Sequence, residues 1–177
     1  MDYREYDPAY PRVFEQLGQT IRSVVPGARV EHVGSTAVPG LGGRGTLDAV
    51  LLAEPHEQAA VVAALTSIGF AEVPYGAVRP ALTATVDVDG RAYGALLYVL
   101  PAGHEYVRGW LAFRAFMRRH PEEIERYAAI KQAAIAAGHT APWSYQQAKT
   151  PYLLELAQRI EREATAEEAT DPSARSG

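Results

Sequence analysis

The feature that most restricts the fold of this chain is the stretch EHVGSTAVPGLGGRGTLDAV, residues 31–50. A short alternating strand comes before a glycine-rich loop, residues 34–45, and a nearly continuous apolar run, TLDAVLLAE, comes after it. An apolar run of this kind is typical of a strand that is covered on both faces. The loop therefore joins two predicted strands, and Asp48 is a carboxylate inside the covered one.

The periodicity of the remaining chain predicts helices around these strands. Helical spacing of apolar residues recurs in residues 7–26 and 55–70, and Asp89-Gly90 between two alternating segments, 81–88 and 92–100, is a strong hairpin signal. Three further helices are predicted in residues 104–121, 121–138 and 143–164. The order predicts an α+β (mixed α/β) domain, residues 1–164, with a small mixed sheet and a helical C-terminal half; residues 165–177 are polar and are predicted to be disordered.

Composition limits the classes of function. The chain has 177 residues, 47% of them hydrophobic, and a formal net charge of −4, which fits one soluble domain and argues against nucleic acid as a partner. The absence of cysteine excludes disulfides, thiolate metal sites and a cysteine nucleophile, and it fits a cytoplasmic location. No segment has the apolar length of a membrane span or a signal region, so no membrane partner is expected. The oligomeric state stays open.

The loop has the layout of a nucleotide site. Gly34-Ser35 is followed by twelve residues and then by Asp48, which resembles the signature of the nucleotidyltransferase fold. Backbone N–H groups and a hydroxyl at such a turn can hold phosphate oxygens, and paired carboxylates on the following strand can hold Mg²⁺. Transfer of a phosphoryl or nucleotidyl group then depends mostly on positioning and charge neutralisation.

A longer match is more specific. EHVGSTAVPGL resembles the hallmark of the GrpB family, a bacterial group with a nucleotidyltransferase-like fold that is also found fused to some dephospho-CoA kinases. Three more segments resemble the family in the same order, namely YDPAYPRVFEQL, LAFRAFMRRHPEEIERYAAIKQ and SYQQAKTPYLLEL. Together the resemblance covers about residues 3 to 160.

The chain departs from the family pattern at three places. The stretch after the hallmark is Leu41-Gly42-Gly43-Arg44-Gly45, where most members carry a leucine-proline-alanine-lysine-proline type of segment. Valine occupies position 50, where many members have a second carboxylate, and residues 95–98 replace a histidine-rich strand, with Tyr98 at the place of its last histidine. Mg²⁺ is the cofactor that the resemblance implies, but one carboxylate holds it poorly. No metal ligands are therefore predicted, and no cofactor is assigned with certainty.

Three residues are candidates for catalysis. Asp48 lies in an apolar strand and needs a cationic partner, for which Arg44, Arg91, Lys131 and Lys149 are the candidates. His32 has a side chain suited to proton transfer near neutral pH or to donation to a phosphate, although a structural role is equally compatible with its place. Tyr98 is either a ligand-binding phenol or an ordinary buried ring.

A second group is predicted to bind the ligand. Gly34, Ser35 and Thr36 form the phosphate-type loop, for which a plain helix cap is the alternative. Arg114 lies on the apolar side of its helix, so it should reach an acid or a ligand. Arg44 offers a bidentate fork, and Lys131, Tyr145 and Lys149 stand at positions that match the family. Such convergence of cations favours an anionic small-molecule substrate, although each alone also fits a surface residue.

Three hypotheses follow. The first is a divergent small-molecule enzyme on a nucleotidyltransferase-like scaffold, with altered or lost Mg²⁺-dependent nucleotidyl transfer and a role in specialised metabolism. The second is an active Mg²⁺-dependent nucleotidyltransferase that takes its second acid from elsewhere, for instance from Asp87. The third is a non-catalytic module that binds nucleotides or anions. The loss of the carboxylate at position 50 favours the first, and we expect an enzyme.

Overall fold

The computed structural model describes residues 2–73 and 80–170. In these ranges the chain forms a mixed α+β fold, as the sequence predicts. The elements in order are α1 (Tyr10–Val24), β1 (Arg29–Val33), a 3-10 turn (Ser35–Ala37), β2 (Leu47–Leu52), α2 (Gln58–Thr66), β3 (Ala71–Glu72), β4 (Ala81–Val88), β5 (Arg91–Leu100), α3 (Glu105–Arg119), α4 (Pro121–Ala136) and α5 (Pro142–Thr170).

The described strands form one mixed sheet in the order β1-β2-β5-β4-β3. β2 and β5 run parallel at its centre, and the other neighbours are antiparallel. Asp89 and Gly90 both have positive φ at the tip of the β4–β5 hairpin, which confirms the predicted turn. The register places Val33 opposite Asp48, and Val50 opposite Tyr98.

Alternation along β2 separates the two faces of the sheet. Leu47, Ala49 and Leu51 are buried in the core that α1 and α2 cover. Because successive side chains of a strand point to opposite faces, Asp48 and Val50 face the other side. On that side Val50 packs in a smaller apolar cluster with Val33, Leu100 and Val107. The Asp48 carboxylate therefore lies on the face that is turned toward the C-terminal helices.

The loop after the 3-10 turn is anchored in the helical half. Val38 and Leu41 are buried in a third cluster with side chains of α3, α4 and α5. The other buried members of this cluster are Phe116, Met117, Tyr127, Tyr152 and Leu156. Burial of two apolar loop residues fixes the glycine-rich segment against the helices, so both halves of the fold contribute walls to the space between them.

Three features differ from the sequence-based expectations. The last helix extends to Thr170 and does not end at Ala164, so the predicted disordered tail is wrong for residues 165–170. Residues 171–177 lie outside the described part of the chain. The two-residue β3 and the 3-10 turn were not predicted, because elements this short have no periodicity. Within the described residues, no helix combines the length and apolarity required to cross a bilayer.

Candidate functional site

A cavity of about 360 Å³ lies on the Asp48 face of the sheet, between the glycine-rich loop and the helices α3, α4 and α5. Most residues predicted from the sequence to form the site line this cavity. The polar or glycine positions among its lining residues include Gly34, Ser35, Thr36, Arg44, Asp48, Tyr98, Lys131, Tyr145, Gln146 and Lys149. The fold thus brings the predicted phosphate-type loop and the two predicted lysines to one place.

Gly34 is required by the close approach of the loop to Asp48. Its φ is +71°, a conformation that favours glycine. A Cβ atom at this position would lie 2.6 Å from Oδ2 of Asp48, closer than any real contact. Because Val33 is paired with Asp48 across β1 and β2, the turn after Val33 passes directly over the carboxylate. Substitution of Gly34 would therefore displace either the loop or the acid.

Lys131 is the most buried cation of the cavity, with 1% of its surface exposed. Its Nζ donates to the carbonyl of Gly42 at 2.6 Å and contacts Oγ of Ser35 at 2.6 Å. The same nitrogen lies 4.4 Å from the ring centroid of Tyr127, one helical turn earlier in α4. A Cβ at position 43 would lie 3.4 Å from Nζ, at ordinary van der Waals distance, so the loop passes close to the amine.

Lys149 and Arg44 share one aromatic partner. Nζ of Lys149 lies 4.3 Å from the ring centroid of Tyr145, and the guanidinium carbon of Arg44 lies 5.7 Å from it. Tyr145 is buried and Lys149 is 9% exposed, whereas Arg44 is exposed at the cavity wall. The ring faces provide cation–π attraction without neutralising either charge. Both cations therefore remain able to bind an anion.

The charges of the cavity are poorly matched. Burial raises the pKa of Asp48 to about 6, against the opposing effect of Arg44, Lys149 and Lys131. Burial and the charge of Lys149 lower the pKa of Lys131 to about 7, and burial and the charge of Arg44 lower the pKa of Lys149 to about 8. Among residues 2–73 and 80–170, no cation lies within 4.0 Å of the Asp48 carboxylate. Three cations thus surround one unpaired acid.

The residues beside Asp48 do not fit a paired-carboxylate Mg²⁺ site. Val50 is fully buried among apolar side chains, and Tyr98 beside it packs on the ring of Trp110 at 4.8 Å. Asp87 does not supply the second acid, because its carboxylate accepts a hydrogen bond from the backbone N–H of Gly90 at the hairpin tip. No cluster of three or more His, Asp or Glu suited to a metal occurs in the described part of the chain.

His32 lies outside the cavity, contrary to its predicted catalytic role. Its ring stacks on Phe14 of α1 at 4.8 Å, on the opposite face of the sheet from Asp48, and its Nε2 lies 2.9 Å from Oγ1 of Thr36. Burial and the charges of Arg114 and Arg118 lower the pKa of His32 to about 4. The neutral ring therefore holds the loop from behind, and the Thr36 hydroxyl is engaged in that contact.

Arg114 does not line the cavity. The sequence predicted that it reaches an acid or a ligand, and the structure shows the acid: Nη1 donates to Glu31 at 3.0 Å and to the His32 carbonyl at 2.6 Å. Arg91, considered as a partner for Asp48, instead pairs with Asp7 at 2.7 Å. Both arginines hold strands and termini in place and contribute no charge to the cavity wall.

Sequence reasoning missed several residues of the cavity. Tyr127 and Gln146 line it, beside the predicted Lys131 and Tyr145. The spacing of four between Tyr127 and Lys131 was a usable signal, because it places both on one helix face. The apolar wall includes Trp110, Phe113, Leu153, Leu156 and Ile160. In the sequence these side chains follow helical periodicity, which does not distinguish a core from a cavity wall.

A model of the family described as GrpB protein matches residues 2–159. The chain belongs to the GrpB family. Two similar relatives carry the name UPF0157 protein. The UPF0157 protein PA4798 of Pseudomonas aeruginosa is 32% identical over 81% of this chain, and a UPF0157 protein of Deinococcus radiodurans is 31% identical over 90% of it. The matched region spans 60% of the Pseudomonas protein and 82% of the Deinococcus protein.

Solved structures confirm the nucleotidyltransferase-like fold of this GrpB member. The conserved protein GrpB from Enterococcus faecalis has a TM-score of 0.76 and 20% identity, covering 92% of this chain and 99% of that one. The Cid1 poly(U) polymerase with MgGTP bound has a TM-score of 0.61 and 14% identity, covering 81% of this chain and 50% of that one. Identities this low establish the shared fold alone.

Proposed function

We propose that this GrpB-family chain is a small-molecule enzyme that binds a phosphate-type anionic group in the cavity, with its Mg²⁺-dependent nucleotidyl transfer altered or lost. One observation carries the proposal. Lys131, Lys149 and Arg44 surround a single acid, Asp48, in a cavity, and Val50, at the position of the family's second carboxylate, is buried in the apolar cluster beneath it. The departures from the family pattern fit a retooled member that acts in specialised metabolism.

The excess of cations supports an anionic ligand. Burial holds the pKa values of Lys131 and Lys149 below the usual lysine value, so the charged form of each lysine is unfavourable in the cavity. A bound phosphate oxygen would compensate the charges of Lys149 and Arg44 and accept hydrogen bonds from both. The cavity volume of about 360 Å³ falls in the range of small-molecule pockets.

Asp48 supports catalysis over simple binding. A carboxyl group with a pKa of about 6 can accept and return a proton near neutral pH, which a strongly paired carboxylate cannot do. Perturbed titration in a cavity is characteristic of functional acids. Tyr98 lines the same cavity.

The second hypothesis is favoured by one finding, the shared fold with a polymerase solved with MgGTP bound. Against it stands Val50, since an apolar cluster provides no oxygen for the ion. Nucleotides are therefore part of the test. If Mg²⁺-dependent nucleotide binding is found and is lost in Asp48→Asn, the chain is a nucleotidyltransferase and our proposal fails.

Isothermal calorimetry with phosphate, pyrophosphate, ATP and CTP, each with and without Mg²⁺, tests the proposal. We expect anion binding that does not depend on Mg²⁺ and that weakens at least about tenfold in Lys149→Met, because a charge-assisted hydrogen bond is lost. Ser35→Ala should weaken binding by about 1 to 3 kcal/mol if its hydroxyl bonds the anion.

Arg12→Met is the matched control, since it removes an exposed cation that pairs with Asp89 at the hairpin tip. Its anion affinity should equal that of the native protein. Failure of the native protein to bind any of the four anions would contradict the proposal. Nucleotide binding that ignores Mg²⁺ and leads to no turnover of any phosphate-bearing substrate would identify a binding module.

A further inference from the structure

Ser35 and Lys131 meet at the cavity wall with 2.6 Å between Oγ and Nζ. We propose that Ser35 is a nucleophile activated by Lys131, and that it accepts an acyl group from a small molecule whose leaving group is phosphate. This inference rests on the proposed phosphate pocket for the leaving group only. The serine–lysine contact stands independently of it.

The contacts of the amine fit a base directed at the hydroxyl. Lys131 donates one hydrogen bond to the Gly42 carbonyl at 2.6 Å, which fixes the direction of Nζ. A neutral amine then keeps its lone pair for the hydroxyl proton of Ser35, while a second N–H faces the ring of Tyr127. The side of the pair toward position 43 carries no side chain, because that residue is glycine. A substrate therefore reaches Oγ from the cavity.

The surroundings of Lys131 support a neutral amine near physiological pH. The groups that face it are Lys149 on α5, Arg44 on the loop, Asp48 on β2 and Tyr127 on α4. Burial, Lys149 and Arg44 lower its pKa, and Asp48 raises it, with a net value of about 7. An ordinary lysine is protonated at this pH and is no base. A buried lysine with a lowered pKa is a known means of activating a serine.

The missing carboxylate favours an acyl over a phosphoryl electrophile. Attack on a charged phosphoryl group requires charge neutralisation of the kind that metal ions supply. Val50 provides no second ligand for such an ion. A carbonyl carbon carries no formal charge and is attacked by serine without a metal. Lys149 and Arg44 are placed to hold the phosphate that departs.

The step balances without a further reactant. The Lys131 amine takes the hydroxyl proton as Oγ bonds to the carbonyl carbon, and the carbonyl electron pair moves to oxygen. This tetrahedral species collapses, breaks the bond to the phosphate oxygen and leaves acyl-Ser35, while the ammonium returns its proton to the departing phosphate. Water, deprotonated by the same amine, then attacks the acyl carbon, and the ammonium returns that proton to Oγ of Ser35 as the ester bond breaks. The products are a carboxylic acid and inorganic phosphate.

The first test treats the full chain with an uncharged fluorophosphonate, whose phosphorus bonds to an activated serine and expels fluoride. We expect the protein mass to rise by one phosphonyl group, located on Ser35 by peptide mapping. The rate should rise with pH through about 7 and then level, following loss of the Lys131 proton. Lys131→Met should slow the reaction by about 100-fold or more, which is the usual contribution of a general base.

Ser67→Ala is the matched control, since Ser67 is exposed and its hydroxyl donates to the Ala64 carbonyl. It should react like the native protein, whereas Ser35→Ala should not be labelled at this site. No labelling of native Ser35, labelling on Lys131 instead, or an unchanged rate in Lys131→Met would overturn the proposal. If Lys131→Met does not fold, the pH profile decides, because an unactivated serine gives a rate that climbs without levelling.

The second test uses acetyl phosphate and separates this inference from the proposed pocket. We expect a burst of inorganic phosphate equal to the protein concentration, with acetyl-Ser35 found by peptide mapping, and no burst in Ser35→Ala. Phosphate binding without labelling or burst would contradict the nucleophile alone. Labelling by the fluorophosphonate without phosphate binding or burst would overturn the phosphate leaving group.

Discussion

Two acidic side chains of this protein are held beside cations, and they differ in how their oxygens are used. Glu123, on α4, is 5% exposed and accepts hydrogen bonds from Arg159 at 2.5 Å and from the Tyr152 hydroxyl at 2.8 Å, with Arg126 at 3.8 Å. Asp48 has no cation within 4.0 Å among the described residues, although three cations line the same cavity.

The titration of the two acids follows from this difference. Burial alone would raise the pKa of Glu123, but hydrogen bonds from Arg159 and Tyr152 outweigh it and lower the pKa. Burial raises the pKa of Asp48 to about 6 because its cations lie too far away to compensate. A buried acid whose carboxylate oxygens accept close hydrogen bonds, here called saturated, stabilises the fold. An acid without such donors, here called unsaturated, keeps its capacity for a proton or a ligand.

The largest effect is expected from adding a second unsaturated acid. Val50→Asp places a carboxylate in the apolar cluster of Val33, Leu100 and Val107. We expect a loss of about 4 kcal/mol in the free energy of unfolding, which corresponds to a pKa raised by about three units. Urea denaturation measures the loss. Addition of Mg²⁺ should recover part of it by pairing the new acid with Asp48.

Val50→Asn is the control for that variant, since it has the same shape without the charge. It should lose less stability and should not respond to Mg²⁺. If Mg²⁺ stabilises neither variant, then the family's metal arrangement is not restored by the carboxylate alone, and the departure from the family extends beyond position 50.

Removal of the saturated acid should have the next largest effect. Glu123→Ala leaves Arg159 and Tyr152 without their acceptor, and we expect a loss of about 3 kcal/mol in the free energy of unfolding. Glu122→Ala is the neighbouring control. Its side chain is exposed and contacts His120 at 3.1 Å, so the change should stay within about 0.5 kcal/mol. Equal losses in the two variants would remove the distinction between a saturated acid and a surface one.

The pH dependence of stability should come from the cavity. The folded pKa values of Lys131 and Lys149, about 7 and about 8, lie below the ordinary lysine value of 10.5 that applies to the unfolded chain. Above these values the folded state has released protons that the unfolded state retains, so stability rises with pH. The contribution of Asp48 has the opposite sign and is lost as pH rises through about 6.

We therefore expect a minimum of stability near about pH 6 to 7 and a gain of about 2 kcal/mol between about pH 7 and about pH 8.5, measured by urea denaturation across pH. Lys131→Met should show a smaller gain. Glu123 contributes nothing to this window, because its lowered pKa places its titration at acidic pH. A flat profile in the native protein would show that the lysines are better compensated than their contacts indicate.

The smallest effect on stability is expected from Asp48→Asn. The variant loses a carboxylate that has no close partner and whose charge burial penalises, so the free energy of unfolding at neutral pH should not fall by more than about 1 kcal/mol. Phosphate should bind more tightly by a similar amount, since the like charge in the cavity is gone. Calorimetry and urea denaturation of the same preparation test both. A large loss of stability would place Asp48 with Glu123 as a structural acid.

Local patterns predicted the elements well. Alternation and the Asp89-Gly90 pair predicted the hairpin of β4 and β5, and proline and glycine predicted the limits of several helices. Helix α5 extends further than its pattern predicts. Its last residues are polar, which is typical of disorder, but the alanine and glutamate among them favour a helix. Pattern alone did not show the parallel pairing of β2 with β5, which is a long-range contact.

The sequence predicted most residues of the site, but it did not predict which way each side chain faces. Resemblance and charge selected Ser35, Asp48, Lys131 and Lys149, and the fold brings all four to one cavity. The side of the sheet that His32 faces depends on strand register, which sequence did not provide. For Arg114 the cost of burial correctly required a partner, but only the three-dimensional arrangement shows that the partner is an acid.

The N-terminal segment forms part of the wall behind the cavity. The backbone of Arg4 pairs with Gly43 through hydrogen bonds of 2.7 and 2.9 Å, next to the Gly42 carbonyl that holds Lys131. Residues from the beginning of the chain thus set the position of an amine on the fourth helix. A shortened start that removes Arg4 would leave the loop without this backbone pairing, so we expect the position of the Lys131 amine to depend on where the protein chosen for an assay begins.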